Sequence, residues 1–291
     1  MQSLIVEKKY NEKKLNIFLF EHFPNLSSST FYKALRKKDI RVNNIRVTEN
    51  VNIHTGDEIK VFITDNLLFK TFSPDIVYED NNILIVNKPT ELEVVGDDSL
   101  TSKLKASLYS NTPNAYLEPC HRLDRNTTGL VLFAKNDEAK QIILEKFKNQ
   151  EIEKHYLAYV YGIPKNKKET LNAFLFKDNK KSMVYISDEP HKGYVPITTS
   201  YLVLETDKSK NISLLDVTLH TGKTHQIRAH LAHIGYPILG DGKYGINQVN
   251  KQFNFKYQQL QSYILKFNFS TNSGILDYLN GKCIKLNNHI Y

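Results

Sequence analysis

The stretch "EPCHRLDRNTTGLVLFAKN", residues 118–136, determines how the rest of the sequence is interpreted. It places Asp124 between Arg122 and Arg125 and then passes through Gly129, which permits a tight backbone path, into an apolar segment typical of a buried strand. Exposed ion pairs contribute little to stability, so surface pairing does not account for this arrangement. A carboxylate that must stay ionised in a cleft beside a polyanionic substrate does account for it, which makes Asp124 the first candidate for a catalytic group.

The charge balance favours an acidic partner. The chain has 291 residues, with 39 Lys and Arg against 31 Asp and Glu, a formal charge of +8 and a pI near 9.1. Such a surplus favours nucleic acid first and an anionic membrane surface second. Because 41% of the residues are hydrophobic, the chain can bury a sizeable core.

Neither membrane insertion nor secretion is indicated. No apolar run reaches the length of a membrane span, and the first residues lack a signal-peptide pattern. Cys120 and Cys283 are the only cysteines, too few for a disulfide framework or a zinc site and compatible with a reducing compartment. We therefore expect a cytoplasmic protein with no membrane partner.

A group of histidines raises the question of a metal site. His225, His230 and His233 lie close together in the sequence, but His225 and His230 are five residues apart and diverge on a helix. No acidic residue accompanies them, and Lys223 and Arg228 lie nearby, which disfavours cation binding electrostatically. We expect no metal.

The first 64 residues predict two helices and a small sheet. Leu15, Phe18 and Leu19 recur at helical spacing, and the serines of "LSSST" supply an N-cap for a second helix. The pair Asn43-Asn44 lies between alternating apolar residues and predicts a hairpin, because Asn tolerates positive φ. The segment "TGDEIKVFI" predicts a turn and a further strand.

Residues 12–64 resemble the small RNA-binding module named after the small-subunit ribosomal protein S-four, also called the alpha-L motif. The resemblance rests on "FPNLSSSTFYKALRKKDIRVNNIRV" followed by "GDEIKVF". A solvated helix face is the alternative explanation of the basic residues in this pattern. The resemblance favours RNA contact and implies that the second helix presents four cations: Lys33, Arg36, Lys37 and Lys38.

Residues 65–75, which include Ser-Pro, indicate a linker. Beyond it, "NNILIVNKP", "GLVLFAKN", "KHYLAYVYG" and "NISLLDVTLHTG" are typical of strands, while "DEAKQIILEKFKNQ" and "THQIRAHLAHIG" predict helices. The absence of a strict βαβ period predicts an α+β fold. We expect a mixed, largely antiparallel sheet flanked by helices over residues 76–291.

Three motifs, in order, resemble the RluA-type pseudouridine synthases. They are "HRLDRNTTGLVLFAKN", "KHYLAYVYG" and "LHTGKTHQIRAHLAHIGYPILGDGKYG", with Lys223 where Arg is commoner, and together they span roughly residues 75–245. The resemblance implies that residues 76–291 form a pseudouridine synthase catalytic domain. It implies conversion of uridine in RNA to pseudouridine without a cofactor, a metal or an energy source.

The resemblance also implies roles for individual residues. Asp124 is the catalytic carboxylate, and Arg228 is the basic partner that keeps it charged. Tyr156 stacks on the target ring. Arg122 enters the RNA helix where the flipped nucleotide leaves. His121 is expected to be a hydrogen-bonding strut for the loop.

Only an ionised carboxylate is obligatory for this isomerisation. It attacks the anomeric carbon, as in a retaining glycosidase, or it removes a sugar proton to give a glycal, and the sequence leaves both routes open. In either case the site must retain the detached base and exclude water.

Three classes of function remain to be separated. The first is a monomeric enzyme acting on structured RNA, for which we expect large-subunit ribosomal RNA, with transfer RNA as the alternative substrate. The second is a catalytically silent RNA-binding or ribosome assembly factor that keeps the fold. The third is a metal-dependent RNA hydrolase built on the histidines.

Overall fold

The computed structural model describes residues 1–68, 72–109, 112 and 115–287, with the side chain of residue 66 excepted. The chain divides into two compact units, Met1–Ser73 and Pro74–Tyr291. Each unit has its own sheet. In the described ranges, no helix is long and apolar enough to cross a membrane.

The first unit combines helices with a four-stranded antiparallel sheet of order β1-β4-β2-β3. Its elements are β1 (Gln2–Ile5), α1 (Leu15–His22), α2 (Ser28–Lys37), β2 (Ile40–Val42), β3 (Ile45–Arg46), β4 (Glu58–Val61) and α3 (Asp65–Leu68). Buried residues of both longer helices and of the sheet form one hydrophobic cluster, which includes Phe18, Leu19, Phe31, Leu35 and Ile59. This shared core is what lets so small a unit be compact.

Both predicted helices and the predicted hairpin are confirmed. The hydroxyl of Ser27 accepts a hydrogen bond from the Thr30 N–H and caps α2. Asn43 and Asn44 join β2 to β3 with φ values of 49° and 64°, the left-handed conformation that the sequence pattern required.

The first unit extends on both sides of the 12–64 segment. Strand β1 pairs with β4, so residues before 12 contribute to its sheet. Helix α3 occupies the start of the segment interpreted as a linker, and Leu68 is fully buried in the core of this unit. Residues 69–71 of that segment lie outside the described residues. The next strand begins at Asp75.

The second unit is built on one large sheet. Its strands are β5 (Asp75–Glu79), β6 (Ile83–Lys88), β7 (Glu118–Pro119), β8 (Thr128–Ala134), β9 (Ile152–Tyr161), β10 (Lys168–Asp178), β11 (Met183–Ser187), β12 (Val195–Asp207), β13 (Ile212–Leu219), β14 (Leu260–Phe267) and β15 (Cys283–Lys285). Its helices are α4 (Leu100–Leu108), α5 (Asp137–Lys148), α6 (Gln226–His233) and α7 (Asn247–Gln252).

The strand order of this sheet is β11-β10-β12-β13-β9-β14-β8-β6-β5, with β15 beside β14 and β7 beside β8. Among the described strands, only β14 and β8 pair in parallel. The prediction of an α+β fold with a mixed, largely antiparallel sheet is therefore confirmed.

Gly129 sets how closely β8 approaches β14. Its φ is +107°, and a Cβ at this position would lie 2.0 Å from the backbone oxygen of Ser262. Ser262 is in turn opposite Tyr156 on β9. Glycine is thus required for a tight backbone path, as predicted, and it brings the loop that carries Asp124 to within one strand of Tyr156.

Candidate active site

Three of the residues proposed from the sequence converge. Asp124 lies in the loop before β8, Tyr156 lies on β9, and Arg228 lies in the first turn of α6. Asp124, Tyr156 and Arg122 line a cavity of about 620 Å³, which is in the size range of small-ligand sites. A smaller adjoining cavity shares these residues and adds Arg228.

Arg228 connects two carboxylates. Its Nη1 donates a hydrogen bond to Oδ2 of Asp124 at 2.8 Å, while Nε and Nη2 donate to Oδ2 and Oδ1 of Asp241 at 2.7 and 2.8 Å. Asp241 is fully buried, and its Oδ1 also accepts the backbone N–H groups of Lys243 and Tyr244. The bidentate pair fixes the plane of the guanidinium and directs its remaining arm to Asp124.

Electrostatic interactions keep Arg228 and Asp241 charged. Burial alone disfavours the charged guanidinium of Arg228, but the hydrogen bonds and charges of Asp241, and then of Asp124, raise its pKa. Burial likewise disfavours a charged Asp241, yet the hydrogen bonds from Arg228 and the backbone lower its pKa below the ordinary value. A fixed cation is therefore held beside Asp124, as expected from the sequence.

Lys88 forms a hydrogen bond with the backbone of the loop that carries Asp124. Its ammonium is fully buried and donates hydrogen bonds to the carbonyl oxygens of Pro89, Leu92 and Arg125 at 2.8, 2.7 and 3.0 Å. Burial lowers the pKa of Lys88 to about 8, although the charge of Asp124 opposes the shift. The contacts tie the loop that follows β6 to the loop that carries the carboxylate.

His121 is the strut that the sequence predicted. Its Nε2 accepts the backbone N–H of Leu132 at 3.1 Å, which joins the site loop to the middle of β8. Burial, together with the nearby charge of Lys154, lowers the pKa of His121 to about 3. The ring is neutral at physiological pH and can accept this hydrogen bond.

Tyr156 forms an aromatic wall of the cavity. The residue is only 4% exposed, so its ring is held firmly between neighbouring strands. Burial, with the charge of Asp124 as the next cause, raises the pKa of its phenol. The side chain is therefore a neutral aromatic ring that lines the cavity.

His225 is a further residue next to the carboxylate. It takes a left-handed φ of 52°, which is uncommon for a residue with a side chain, and its Nδ1 shares a hydrogen bond of 2.9 Å with the Tyr244 hydroxyl. Its Nε2 lies 3.9 Å from Oδ2 of Asp124. Burial lowers the pKa of His225; the charge of Asp124 opposes this shift and that of Arg228 reinforces it.

The other histidines of α6 have separate partners. His230 is buried against Thr199, with 3.1 Å between Nδ1 and Oγ1, and His233 pairs with Asp188. Across the ranges that the structure describes, no group of three or more His, Cys, Asp or Glu side chains is placed to hold a metal ion.

Cations dominate the larger cavity. Among the described residues that line it, the acidic ones are Glu93 and Asp124. The cationic lining residues are Arg122, Arg125, Lys148, Lys154, Lys177 and Lys223. Arg122 and Arg125 are exposed, on either side of the half-buried Asp124. A polyanion is the substrate that such a lining attracts.

The four basic residues of α2 belong to the first unit. Each is exposed, and Lys38 ends the helix in the left-handed conformation. The buried face of the same helix carries Phe31 and Leu35. The amphipathic pattern thus places the cations Lys33, Arg36, Lys37 and Lys38 on the solvent side.

Asp241, Lys88 and His225 were not assigned to the site from the sequence. Asp241 lies in "GDGKYG" and Lys88 in "VNKP", segments that entered only as parts of a resemblance. An acidic residue and a lysine next to glycine or proline look like turn residues. The complete burial of Asp241 and Lys88 with specific partners, and the position of His225 next to Asp124, become visible only in the structure.

The structure thus places an ion-paired carboxylate and an aromatic ring at a cavity lined by cations. A family model described as RNA pseudouridylate synthase matches residues 82–233, a span that contains Asp124, Tyr156 and Arg228. The chain belongs to this family, and it is accordingly an RNA pseudouridine synthase, as the motifs predicted.

Curated relatives extend the match over nearly the whole chain. A protein of Rickettsia bellii is 31% identical over 271 residues, which cover 87% of this chain and 89% of the relative. A protein of Buchnera aphidicola is 29% identical over 282 residues, which cover 91% and 88%. Both are named ribosomal large subunit pseudouridine synthase C.

Solved structures agree with the fold. Human RNA pseudouridylate synthase domain containing 1 is 25% identical, with a TM-score of 0.58 over 74% of this chain and 82% of its own. Human RNA pseudouridylate synthase domain containing 4 is 23% identical, with a TM-score of 0.55 over 65% of this chain and 82% of its own, and shares the fold.

Proposed function

We propose that this enzyme isomerises specific uridines to pseudouridine in large-subunit ribosomal RNA, with Asp124 as the catalytic carboxylate. The observation that supports it is the 2.8 Å ion pair between Asp124 and Arg228 at the wall of a cation-lined cavity that also contains Tyr156. The names of the Rickettsia and Buchnera relatives support the ribosomal substrate. In this proposal the enzyme is a cytoplasmic monomer that uses neither cofactor nor metal.

Asp124 is poised to act on the sugar. Arg228 occupies its Oδ2, and within the described residues Oδ1 accepts no hydrogen bond, so this oxygen is the one free to react. Attack on C1′, or removal of a sugar proton, breaks the bond from C1′ to N1 of uracil. The electron pair of that bond leaves with the base, while the hydrogen bond from Arg228 holds the carboxylate in place.

Tyr156 keeps the detached uracil in place. Its buried, neutral ring offers a stacking face on which the base can turn until C5 replaces N1 opposite C1′. As the new bond from C5 to C1′ forms, the bond from Asp124 to C1′ breaks or, on the other route, the removed proton returns to the sugar. The proton at C5 then leaves and N1 gains a proton, so atoms and charge balance. A site that admitted bulk water at this stage would hydrolyse the intermediate.

RNA contact is assigned to two surfaces. Arg122, exposed at the mouth of the cavity, fills the place of the flipped nucleotide and offsets part of the unstacking cost. The cations of α2 in the first unit, Lys33, Arg36, Lys37 and Lys38, bind the RNA backbone through charge.

Mapping pseudouridines in total RNA tests the substrate. A strain that lacks this gene is compared with its parent and with the strain complemented by the wild-type or the Asp124→Asn protein. We expect one or a few pseudouridines to disappear from large-subunit ribosomal RNA and to return only with the wild type. Losses confined to transfer RNA would refute the ribosomal assignment, and an unchanged map would refute the proposed function.

A further inference from the structure

Lys154 and Tyr156 are neighbours on the same face of strand β9. The two residues are separated by two positions on β9, so their side chains point to the same face of the sheet with Cα atoms about 6.6 Å apart. Both side chains line the cavity of about 620 Å³ that contains Asp124. A group bound by Lys154 therefore lies beside whatever stacks on Tyr156.

Lys88 and Lys146 are fully buried, and their ammonium groups donate hydrogen bonds to other groups of the chain. Lys88 donates to three carbonyl oxygens, and Lys146 donates to Glu151 at 2.8 Å and to both oxygens of Thr271. Lys154 differs, because over the described ranges its ammonium makes neither an ion pair nor a hydrogen bond. Its neighbours are the ring of Phe147, 4.5 Å from Nζ, and the backbone at Gly222.

The surroundings of Lys154 favour an anion. Burial lowers the pKa of Lys154 to about 8, with no carboxylate to offset the cost. His121 beside it is neutral, and Lys148 and Lys223 line the same part of the cavity. Lys154 is partly buried and has no anionic partner among the described side chains, so an anion from outside the chain would satisfy its ammonium.

We propose that Lys154 binds a backbone phosphate of the target nucleotide while the base of that nucleotide stacks on Tyr156. The inference rests on the proposed function, because it takes RNA as the substrate. A base and its own phosphate are covalently joined at a separation comparable to the spacing of the two side chains. Lys154 thus fixes the register of the flipped nucleotide, so that C1′ meets Asp124.

A synthetic RNA hairpin that spans a uridine identified by the mapping experiment provides the probe. Three versions are compared: unmodified, with a neutral methylphosphonate on the 5′ side of the target, and with one on the 3′ side. Wild type, Lys154→Met and Lys154→Arg are assayed for kcat/KM. Lys208→Met is the control, since Lys208 is exposed in the turn before β13, at the opposite end of that strand from the cavity residue Leu219.

We expect Lys154→Met to lower kcat/KM at least about tenfold on the unmodified hairpin, and Lys154→Arg to retain most of it. One of the two methylphosphonates should lower the kcat/KM of the wild type by a similar factor and should leave the kcat/KM of Lys154→Met unchanged. The salt dependence of RNA binding should weaken by about 0.7 in its logarithmic slope for Lys154→Met only.

Equal methylphosphonate penalties in wild type and Lys154→Met, at both positions, would overturn the inference while leaving the proposed function intact. A lowered melting temperature in Lys154→Met without such coupling would assign Lys154 a structural role and would also overturn it. A wild-type enzyme that forms no pseudouridine in the unmodified hairpin would overturn the proposed function, and the inference with it.

Discussion

Arg228 reaches Asp124 at 2.8 Å across 104 residues of sequence, and this contact joins helix α6 to the loop before β8. The contact depends on a third residue, because Asp241 holds the guanidinium through two further hydrogen bonds. Asp241 is fully buried, whereas Asp124 faces the cavity. One carboxylate therefore orients the arginine, and the other is the one that we propose to react.

Replacing Asp241 by Asn tests this division of labour. The substitution keeps the shape of the side chain but leaves the buried Arg228 without its second counter-charge. We expect the free energy of unfolding to fall by about 3–5 kcal/mol. In the protein that remains folded, we expect kcat to fall about 100-fold, because a misplaced guanidinium no longer orients Asp124. Urea unfolding and single-turnover kinetics measure the two effects.

Asp188→Asn is the matched control for that experiment. Asp188 is exposed and, among the described residues, its carboxylate pairs with His233 alone, so both stability and kcat should stay close to the wild-type values. If Asp241→Asn behaved like Asp188→Asn, the orienting role of Asp241 would be wrong.

Tyr156 should act through its ring rather than its hydroxyl. In Tyr156→Phe the stacking face is kept, so we expect RNA binding and the retention of uracil to change little. In Tyr156→Leu the face is lost, and we expect kcat/KM to fall about tenfold or more, given about 1–3 kcal/mol per stacked base. Steady-state kinetics on labelled RNA compares the variants. Equal activity of the Leu variant and wild type would contradict a stacking role.

Gly129 is expected to tolerate no side chain. In Gly129→Ala the new Cβ meets the Ser262 backbone and the residue must keep a positive φ, so we predict a loss of more than about 3 kcal/mol in unfolding free energy. Gly242→Ala is the control, because a Cβ there meets nothing within 4 Å. Thermal unfolding of both variants measures the difference, and a Gly129→Ala protein as stable as the control would show that β8 and β14 can separate.

His230 should make stability depend on acid. Its burial lowers its pKa to about 4 from an ordinary value of 6.5. Between these two pH values His230 is protonated in the unfolded chain but not in the folded protein. The free energy of unfolding therefore decreases as the pH falls through this window, by about 3 kcal/mol in total. Urea unfolding at pH 7 and pH 4.5 should show a flatter dependence in His230→Asn. An unchanged slope would exclude His230 as the cause.

Local patterns were enough to predict several elements of the first unit. The Ser27 cap of α2 and the Asn43-Asn44 hairpin follow from preferences of single residues for particular backbone conformations. The mixed sheet followed from the lack of a strict βαβ period. The placement of β14 between β9 and β8 did not, because strand order depends on long-range pairing that leaves no mark in a local window.

Some residues of the candidate site could likewise be predicted from the sequence, and others could not. Asp124, Tyr156 and Arg228 were recognised through motifs, and the structure brings them to one pair of adjoining cavities. Asp241 and Lys88 were not recognised, since their importance comes from burial against partners elsewhere in the chain. Charged residues are expected at the surface, so complete burial of both could be found only from coordinates.

The release of tritium from carbon five of uridine tests the role of Asp124 most directly. Purified wild type and Asp124→Asn are incubated with substrate RNA labelled at that carbon, and RNA affinity and melting temperature are measured in parallel. We predict that the wild type releases tritium and that Asp124→Asn releases none, although it binds RNA and unfolds like the wild type. Release by Asp124→Asn at the wild-type rate would contradict the account.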